Sequence, residues 1–193
     1  SYSHLDYSGL EARMDYALVA SPLANVYDEN GVYPTTLTNE YYQRHPLGLT
    51  EVDNKDITDN IFYVLTGKLN VPQVKGLTYE MNYSQNLNFK KVNTFYPASV
   101  FEGAESNGLA VKNHNEERGW LLNSILSYSN TFGGKHKISS TFLFSRENRT
   151  GDISSLTASN FENATLGYNA MELGKLQSVE SGAWEENSLS YMA

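Results

Sequence analysis

The sequence contains no cysteine, so disulfide bridges and thiolate metal sites are excluded. It also contains no run of about 18 apolar residues, which excludes a transmembrane helix. Basic residues are few, because 14 Lys and Arg stand against 22 Asp and Glu and give a net charge of −8. No basic cluster offsets the resulting repulsion of phosphates, so we expect no nucleic-acid partner.

Signatures of catalysis and metal binding are also lacking. The four histidines are far apart in the sequence, and none has a carboxylate at metal-ligand spacing. The aspartates at 53, 56 and 59 lack the glycine and terminal glutamate of a calcium loop. Nothing resembles a nucleophile elbow or a phosphate loop. We therefore expect no catalytic residue, no metal and no cofactor, and a protein that is not an enzyme.

Aromatic and small polar residues are abundant, with 14 Tyr, 8 Phe and 2 Trp in a chain rich in Asn, Ser and Thr. In residues 77–90 apolar and polar side chains alternate with period two, and only a strand places such alternating side chains on two separate faces. As part of a barrel wall, this strand should have its odd-numbered side chains facing outward and its even-numbered side chains facing a polar lumen. The outward set includes Leu77, Tyr79, Met81, Tyr83 and Leu87, and the lumenal set includes Glu80, Asn82, Asn86 and Asn88.

Similar alternation, cleaner in some segments than in others, predicts further strands that form one antiparallel up-and-down meander in sequence order. The expected strands lie near residues 9–19, 57–71, 77–91, 119–132, 136–146 and 187–193. Trp120 and Phe132 at the two ends of the fourth strand are placed as an aromatic girdle requires.

The connections alternate between two sizes. Residues 72–76 and 133–135 are short turns, whereas 20–56, 92–118 and 147–186 are long and polar. This asymmetry is typical of outer-membrane barrels, which have short periplasmic turns and long extracellular loops. We therefore predict an all-β fold in which residues 1–193 form a partial β-barrel domain, part of a large transmembrane barrel.

Six strands are too few to close a barrel. The strand pattern also looks cut off at both ends of the sequence, so we expect the remaining strands of the barrel to come from elsewhere. The alternative is a soluble, secreted β-sandwich that acts as a carbohydrate-binding module. In that fold the apolar face of residues 77–90 would lie under a second sheet.

Several segments together resemble the SusC/RagA family of TonB-dependent outer-membrane transporters. Ser21 and Pro22, followed by residues 26–34 and by Pro46 and Leu47, look like the family's first long loop after a barrel strand. Residues 71–79 are similar to its recurring periplasmic turn, and residues 164–169 and 189–193 resemble later landmarks.

This resemblance implies a location in the cell outer membrane and import of oligomeric nutrients, either glycans or peptides. It also implies three partners: outer-membrane lipid, a SusD-like surface lipoprotein, and the TonB energising complex acting through a plug domain. The plug domain and the TonB box are absent from this sequence.

Aromatic residues in the long loops are the candidate ligand-binding residues. A sugar ring can stack its apolar face on Tyr or Trp while Asn and Asp bind its hydroxyls. The alternative for each residue is that it packs the loops together. The candidates are Tyr41, Tyr42, Tyr168 and Trp184.

Overall fold

The structure, a computed structural model, describes residues 1–9, 14–31, 34–37 and 40–193, without the side chains of Met14 and residues 40–43. Strands dominate it, with a few short helical segments at their ends. The strands are β1 (Tyr2–Asp6), β2 (Thr36–Leu37), β3 (Glu40–Arg44), β4 (Asp53–Asn70), β5 (Leu77–Tyr96), β6 (Leu109–Phe132), β7 (His136–Phe161) and β8 (Gly174–Met192). The α-helices are α1 (Met14–Val19) and α2 (Phe101–Ala104), and the 3₁₀ helices are Gly48–Glu51 and Gly167–Leu173.

Among the described residues, six strands form one antiparallel sheet in the order β1-β4-β5-β6-β7-β8. The pair β2 and β3 forms a small separate sheet in the connection between β1 and β4. The predicted all-β fold, an antiparallel up-and-down meander, is confirmed.

The long strands extend further than the sequence predicts, with β5 spanning 20 residues, β6 spanning 24 and β7 spanning 26. Two predicted loops, 92–118 and 147–186, are correspondingly wrong in extent. The chain between β5 and β6 leaves the sheet only after Tyr96 and rejoins it at Leu109, and the next connection runs from Phe161 to Gly174.

The predicted strand at 9–19 is wrong, because residues 14–19 form helix α1. Over so short a segment, the alternation of Tyr16 and Leu18 does not distinguish a strand from a helix of one and a half turns. In the structure Tyr16 packs against a buried cluster around Val100. Residues 10–13 lie outside the described part of the chain. The first strand of the sheet is β1, which pairs with Ile57 to Ile61 of β4.

No helix within the described residues is both long enough and apolar enough to cross a membrane.

The turn between β6 and β7 shows why the short connections are tight. Gly133 and Gly134 have φ angles of 59° and 67°, the left-handed region that glycine enters without steric cost. Two consecutive residues of this kind make a turn whose twist matches that of the flanking strands. The β6–β7 ladder is therefore continuous from Phe132↔His136 to Leu109↔Ser159.

Buried side chains cluster at the end of the sheet that carries the connections 7–52, 97–108 and 162–173, here termed the loop rim. One cluster contains Phe95, Ala110, Ala158, Phe161 and Tyr168. The other contains Leu49, Val52 and Val100, with Tyr16 and Tyr96 packed against it. The described parts of the loops fold onto the upper part of the sheet, and none of the described residues covers the half near the short turns in this way.

Candidate functional site

Residues paired across the sheet lie on the same face, so the register divides the long strands into two faces. From β4 to β8 the pairing runs without a shift, through rows such as Ile61↔Leu87, Leu87↔Arg118 and Arg118↔Thr150. Odd residues of β4, β5 and β8 therefore share one face with even residues of β6 and β7. The remaining residues form the opposite face.

The first face carries a continuous apolar surface in the half of the sheet near the short turns, here termed the apolar band. Its members, read from β4 to β8, are Ile61, Tyr63, Leu65, Leu69, Leu77, Tyr79, Met81, Tyr83, Leu87, Trp120, Leu122, Leu126, Tyr128, Phe132, Ile138, Phe142, Phe144, Leu189 and Tyr191.

The apolar band is exposed. Leu65 is 62% exposed, Phe142 47% and Tyr191 75%. Tyr83 is half-buried, and its ring neighbours Tyr63 and Trp120 lie on the same face of the sheet. Among the described residues, no second sheet lies over this surface. A free apolar area of this extent marks an interaction surface.

An aromatic row lies along the upper edge of the apolar band. The Tyr63 and Tyr83 rings have their centroids 6.4 Å apart, and Tyr83 and Trp120 stack at 6.4 Å. The Arg146 guanidinium lies 5.6 Å from the centre of the Trp120 ring. The sequence predicts Trp120 at the start of its strand. Because β6 begins at Leu109, Trp120 instead lies within the strand.

Three tyrosine hydroxyls of the apolar band are hydrogen-bonded to polar side chains on the same face. Both Tyr63 and Tyr83 donate their hydroxyls to Gln85 Oε1, with 3.1 Å for Tyr83. Tyr79 donates to Ser124 Oγ at 3.2 Å. Such pairing matters most where no water is available, because an unpaired polar group in an apolar medium costs several kcal/mol.

The apolar band slants across the strands. Its upper edge falls from Ile61 on β4 to Phe144 on β7. The β7 residue level with Ile61 is Thr150. Phe144 lies about 20 Å below Thr150, at about 3.4 Å per residue. Its lower edge falls from Leu69 on β4 to Ile138 on β7. Ile138 lies about 14 Å below Phe142, the β7 residue level with Leu69. Both edges fall in the same direction over three strand spacings, about 14 Å. A plane that crosses strands tilted by about 35–45° would fall by about 10–14 Å over the same width.

The opposite face is mostly polar and rich in asparagine and hydroxyl side chains, and is here termed the polar face. Its apolar residues include Phe62, Val64, Leu121 and Ile125. Asn88 donates to Asn60 at 2.6 Å, and Ser145 donates to Asn123 at 2.7 Å. Three of its cations are paired with carboxylates, namely Lys68 with Glu80 at 3.9 Å, Lys90 with Asp56 at 3.9 Å and Arg149 with Glu186 at 3.8 Å. A surface of this kind suits contact with water or hydroxylated solutes.

A shallow cleft of about 230 Å³ lies mainly on the polar face. Gly119 lines the cleft without a side chain. The Trp184 indole, which also lines the cleft, covers Gly151 so closely that any Cβ there would overlap the ring. Arg149 lies 5.9 Å from the centre of the Trp184 ring. Phe62, Asn86, Glu117 and Glu147 complete the walls. Aromatic, amide, carboxylate and guanidinium groups thus converge on one depression.

The structure disperses the four sequence-predicted ligand-binding residues. Trp184 lies in strand β8, in the cleft of the polar face, and not in a loop. Tyr41 and Tyr42 lie in β3, and their side chains are outside the description. The Tyr168 side chain is buried at the loop rim, where its hydroxyl donates to Asp53 at 3.4 Å. Burial raises the pKa of Tyr168, and the negative charge of Asp53 raises it further.

Sequence reasoning missed the cleft residues that surround Trp184. Gly119 and Gly151 sit inside strands, and a glycine in a strand interior often marks a close approach of another group. These two glycines are therefore a signal that the sequence contains. The residues that lie opposite them across the sheet are known only from the strand register. Among the described residues, no group of three or more metal-ligating side chains is placed to hold a metal ion.

No protein-family model matches the chain, and no curated protein matches it.

Proposed function

We propose that this chain forms a wall segment of an outer-membrane β-barrel that imports oligomeric nutrients. The observation that carries the proposal is the apolar band, which is exposed, slanted and edged by aromatic side chains. Outer-membrane barrels carry an outward apolar band about 25 Å tall with aromatic girdles. From Trp120 to Phe132 the apolar band covers about 40 Å along β6, or about 28 Å in height at a tilt of about 45°.

The free edges of the sheet support the same proposal. The outer edge of β8 has no strand partner among the described residues, and β1 covers only Ile57 to Ile61 of β4. In hydrocarbon each unpaired backbone group costs several kcal/mol. A wall embedded in lipid therefore needs further strands on both sides, which we propose the rest of the barrel supplies.

The opposite polarity of the two faces supports transport. With the apolar band toward lipid, the polar face lines the lumen and places Trp184 and Arg149 in the path of cargo. The Trp184 ring offers an apolar plane, and neighbouring carboxylates and amides offer hydrogen bonds, a combination suited to sugars and to peptides. The barrel would act with a SusD-like surface lipoprotein and the TonB complex, as the family resemblance implies.

The uncovered apolar band favours this proposal over a secreted β-sandwich that binds carbohydrate. In a sandwich the same side chains would form the core between two sheets. Leu65, Phe142 and Tyr191 are exposed instead, which supports a surface that faces an apolar medium.

Deletion of the whole gene in the source bacterium tests the import function. We expect the deletion strain to lose growth on, and direct uptake of, at least one oligomeric glycan or peptide supplied as sole nutrient. The wild-type gene should restore uptake, and a gene carrying Trp184→Ala should restore it only in part. Unimpaired growth and uptake on every nutrient tested would contradict import and favour a structural or adhesive barrel.

A further inference from the structure

Glycines shape the polar face around Trp184. Gly119, Gly151 and Gly182 lie on strands β6, β7 and β8, each one strand across from the last and two residues nearer the loop rim. The Trp184 indole lies against Gly151, and nothing lies within 4 Å of the position that a Cβ of Gly182 would take. The half-buried ring therefore rests on main chain, with an open position next to it on the same face of β8.

The charged groups of the cleft leave two carboxylates without a cation. Its arginines, Arg118 and Arg149, each lie within 4 Å of a carboxylate. Glu117 and Glu147 also line the cleft, and neither forms an ion pair with a described residue. A carboxylate accepts hydrogen bonds and donates none, so these two side chains suit hydroxyl donors and repel an anion.

Arg149 makes the Trp184 ring a poor site for a cation. Its guanidinium lies 5.9 Å from the centre of the ring, within the range of a cation–π contact. A positively charged ligand at this ring would compete with Arg149 and be repelled by it. An uncharged ligand avoids both penalties and still uses the apolar surface of the indole.

The main chain beneath the cleft is already paired. Strands β6 and β7 each have a hydrogen-bonded neighbour on both sides, so Gly119 and Gly151 border no free sheet edge. A peptide that binds by strand addition needs such an edge. A ligand in the cleft therefore meets side chains, and an aromatic ring beside hydrogen-bond acceptors suits the hydroxyl-covered ring of a sugar better than a peptide main chain.

We propose that the cleft binds one uncharged sugar residue of an oligomeric glycan, with its ring against Trp184 and its hydroxyls donating to Glu117. These two residues flank Gly151 in one row of the sheet, with their main chains about 10 Å apart across two strand spacings. Glu147 lies further along the cleft, where it repels an acidic substituent. The inference rests on the proposed function, because it takes the polar face to line the path of the cargo. It narrows that cargo to glycans that are uncharged at this position.

Isothermal titration calorimetry of the intact protein in a mild detergent tests the proposal. The probes are 1,4-linked hexamers of glucose, galactose and mannose, the corresponding uronic acid hexamers, and hexaalanine. We expect at least one neutral hexamer to bind, and its uronic acid counterpart to bind about tenfold less tightly because of the two unpaired carboxylates. Hexaalanine should not bind.

Variants on the two faces of the sheet locate the binding. Trp184→Ala should weaken binding of the neutral hexamer about tenfold, whereas Trp184→Phe keeps an aromatic face and should lose less. Glu117→Gln/Glu147→Gln should bring the affinity for the uronic acid hexamer to within about threefold of that for the neutral one. The matched control Asp152→Asn/Glu185→Gln removes two carboxylates from neighbouring positions on the opposite face and should keep the full difference.

Binding of no neutral hexamer would overturn the proposal, as would equal affinities for a neutral hexamer and its uronic acid. The same response in the two double variants would place the selectivity outside the cleft. Binding of hexaalanine that is lost in Trp184→Ala would assign the cleft to peptides and not to sugars.

Uptake by the gene-deletion strain separates failure of this site from failure of the proposed function. If the strain loses uptake of a nutrient that a gene carrying the cleft variants restores in full, import stands and the sugar site is wrong. If the strain loses no uptake, import itself is wrong, whatever the cleft binds.

Discussion

Tyr83 and Trp120 stack across strands β5 and β6, with ring centroids 6.4 Å apart and planes inclined by 28°. Neither is directly opposite the other in the register, since Tyr83 pairs with Leu122 and Trp120 pairs with Gln85. The stack therefore bridges two rows of the sheet at the upper edge of the apolar band. Such aromatic pairs contribute about 0.5–1.5 kcal/mol beyond the area they bury.

A double-mutant cycle on this stack should show coupling. We expect Tyr83→Leu and Trp120→Leu to lower the free energy of unfolding less together than the sum of their separate effects, by about 0.5–1.5 kcal/mol. Urea unfolding of the intact protein in lipid vesicles measures each variant. Strictly additive effects would show that the two rings do not stack.

Neighbouring residues of β4 offer a matched test of the two faces. Leu65 is 62% exposed in the apolar band, and Val64 is 50% exposed on the polar face. Arginine at the middle of a lipid-facing strand costs about 2–4 kcal/mol, whereas a lumenal arginine meets water. We expect Leu65→Arg to lower stability in vesicles by about that amount and Val64→Arg to change it by less than about 1 kcal/mol. Equal effects of the two substitutions would mean that both faces meet the same solvent.

Gly151→Ala should disturb the cleft of the polar face. A Cβ at residue 151 overlaps the Trp184 indole, so the ring must move, and overpacking of this kind costs about 1–3 kcal/mol. Gly182→Ala is the control, because nothing lies within 4 Å of a Cβ there. We expect altered Trp184 fluorescence in a Trp120→Phe background for Gly151→Ala alone. An unchanged spectrum would place the Trp184 ring away from Gly151.

His45 should make the loop rim sensitive to pH. Its side chain is buried, and its Nδ1 accepts a hydrogen bond from the Leu47 amide at 3.2 Å. Burial lowers the pKa of His45 below its ordinary value of 6.5, and a hydrogen bond with the Val26 backbone raises it by less. The folded rim thus binds the proton less readily than the unfolded rim. The contribution of neutral His45 to the stability of the folded loop rim is complete above the pKa that His45 has in the unfolded state. This contribution is lost as pH falls from about 6.5 through the lower pKa of the folded state.

Hydrogen exchange measures this effect directly. After correction for intrinsic rates, amides of residues 44–52 should exchange faster at pH 5 than at pH 7.5. The His45→Gln variant should lose that difference, because glutamine does not titrate. The same pH dependence in wild type and variant would assign it to another group.

The sequence predicts the sheet well where one face is apolar. Residues 77–90 alternate with Gln85 as the one exception, and the short turns at 72–76 and 133–135 lie where glycine and proline indicate them. Strand order follows from the short and long connections. These signals are local, so they can be read along a single stretch of chain.

The upper half of the sheet could not be predicted in the same way. From Lys112 to Arg118 on β6 both faces are polar or charged, and period two leaves no trace in such a segment. The same holds for β1, where Tyr2, His4 and Asp6 share a face with no apolar character. Hydrogen-bonded pairing with β4 decides the structure there, and it depends on residues about 50 positions away.

The candidate site depends even more on distant pairing. Trp184 was identified as an aromatic residue with polar neighbours, but its position over Gly151 follows from the β7–β8 register. Arg149 and Glu117 come from two further strands. Tyr168, like Trp184, is an aromatic residue with polar neighbours, and only the packing of the 3₁₀ helix on Phe95 distinguishes the buried Tyr168 ring from the half-buried Trp184 ring.

Fluorescence of the two tryptophans tests the central claim most directly, because Trp120 and Trp184 lie on opposite faces of one sheet. The variants Trp184→Phe and Trp120→Phe of the intact protein are reconstituted into vesicles with brominated acyl chains, and the signal that each variant loses relative to wild type reports the indole it lacks. A membrane wall predicts strong quenching of Trp120 by the brominated lipid and little by aqueous iodide. It predicts the reverse for Trp184. Equal quenching of the two indoles by iodide, with none by brominated lipid, would contradict the membrane wall and leave a sheet that meets water on both faces.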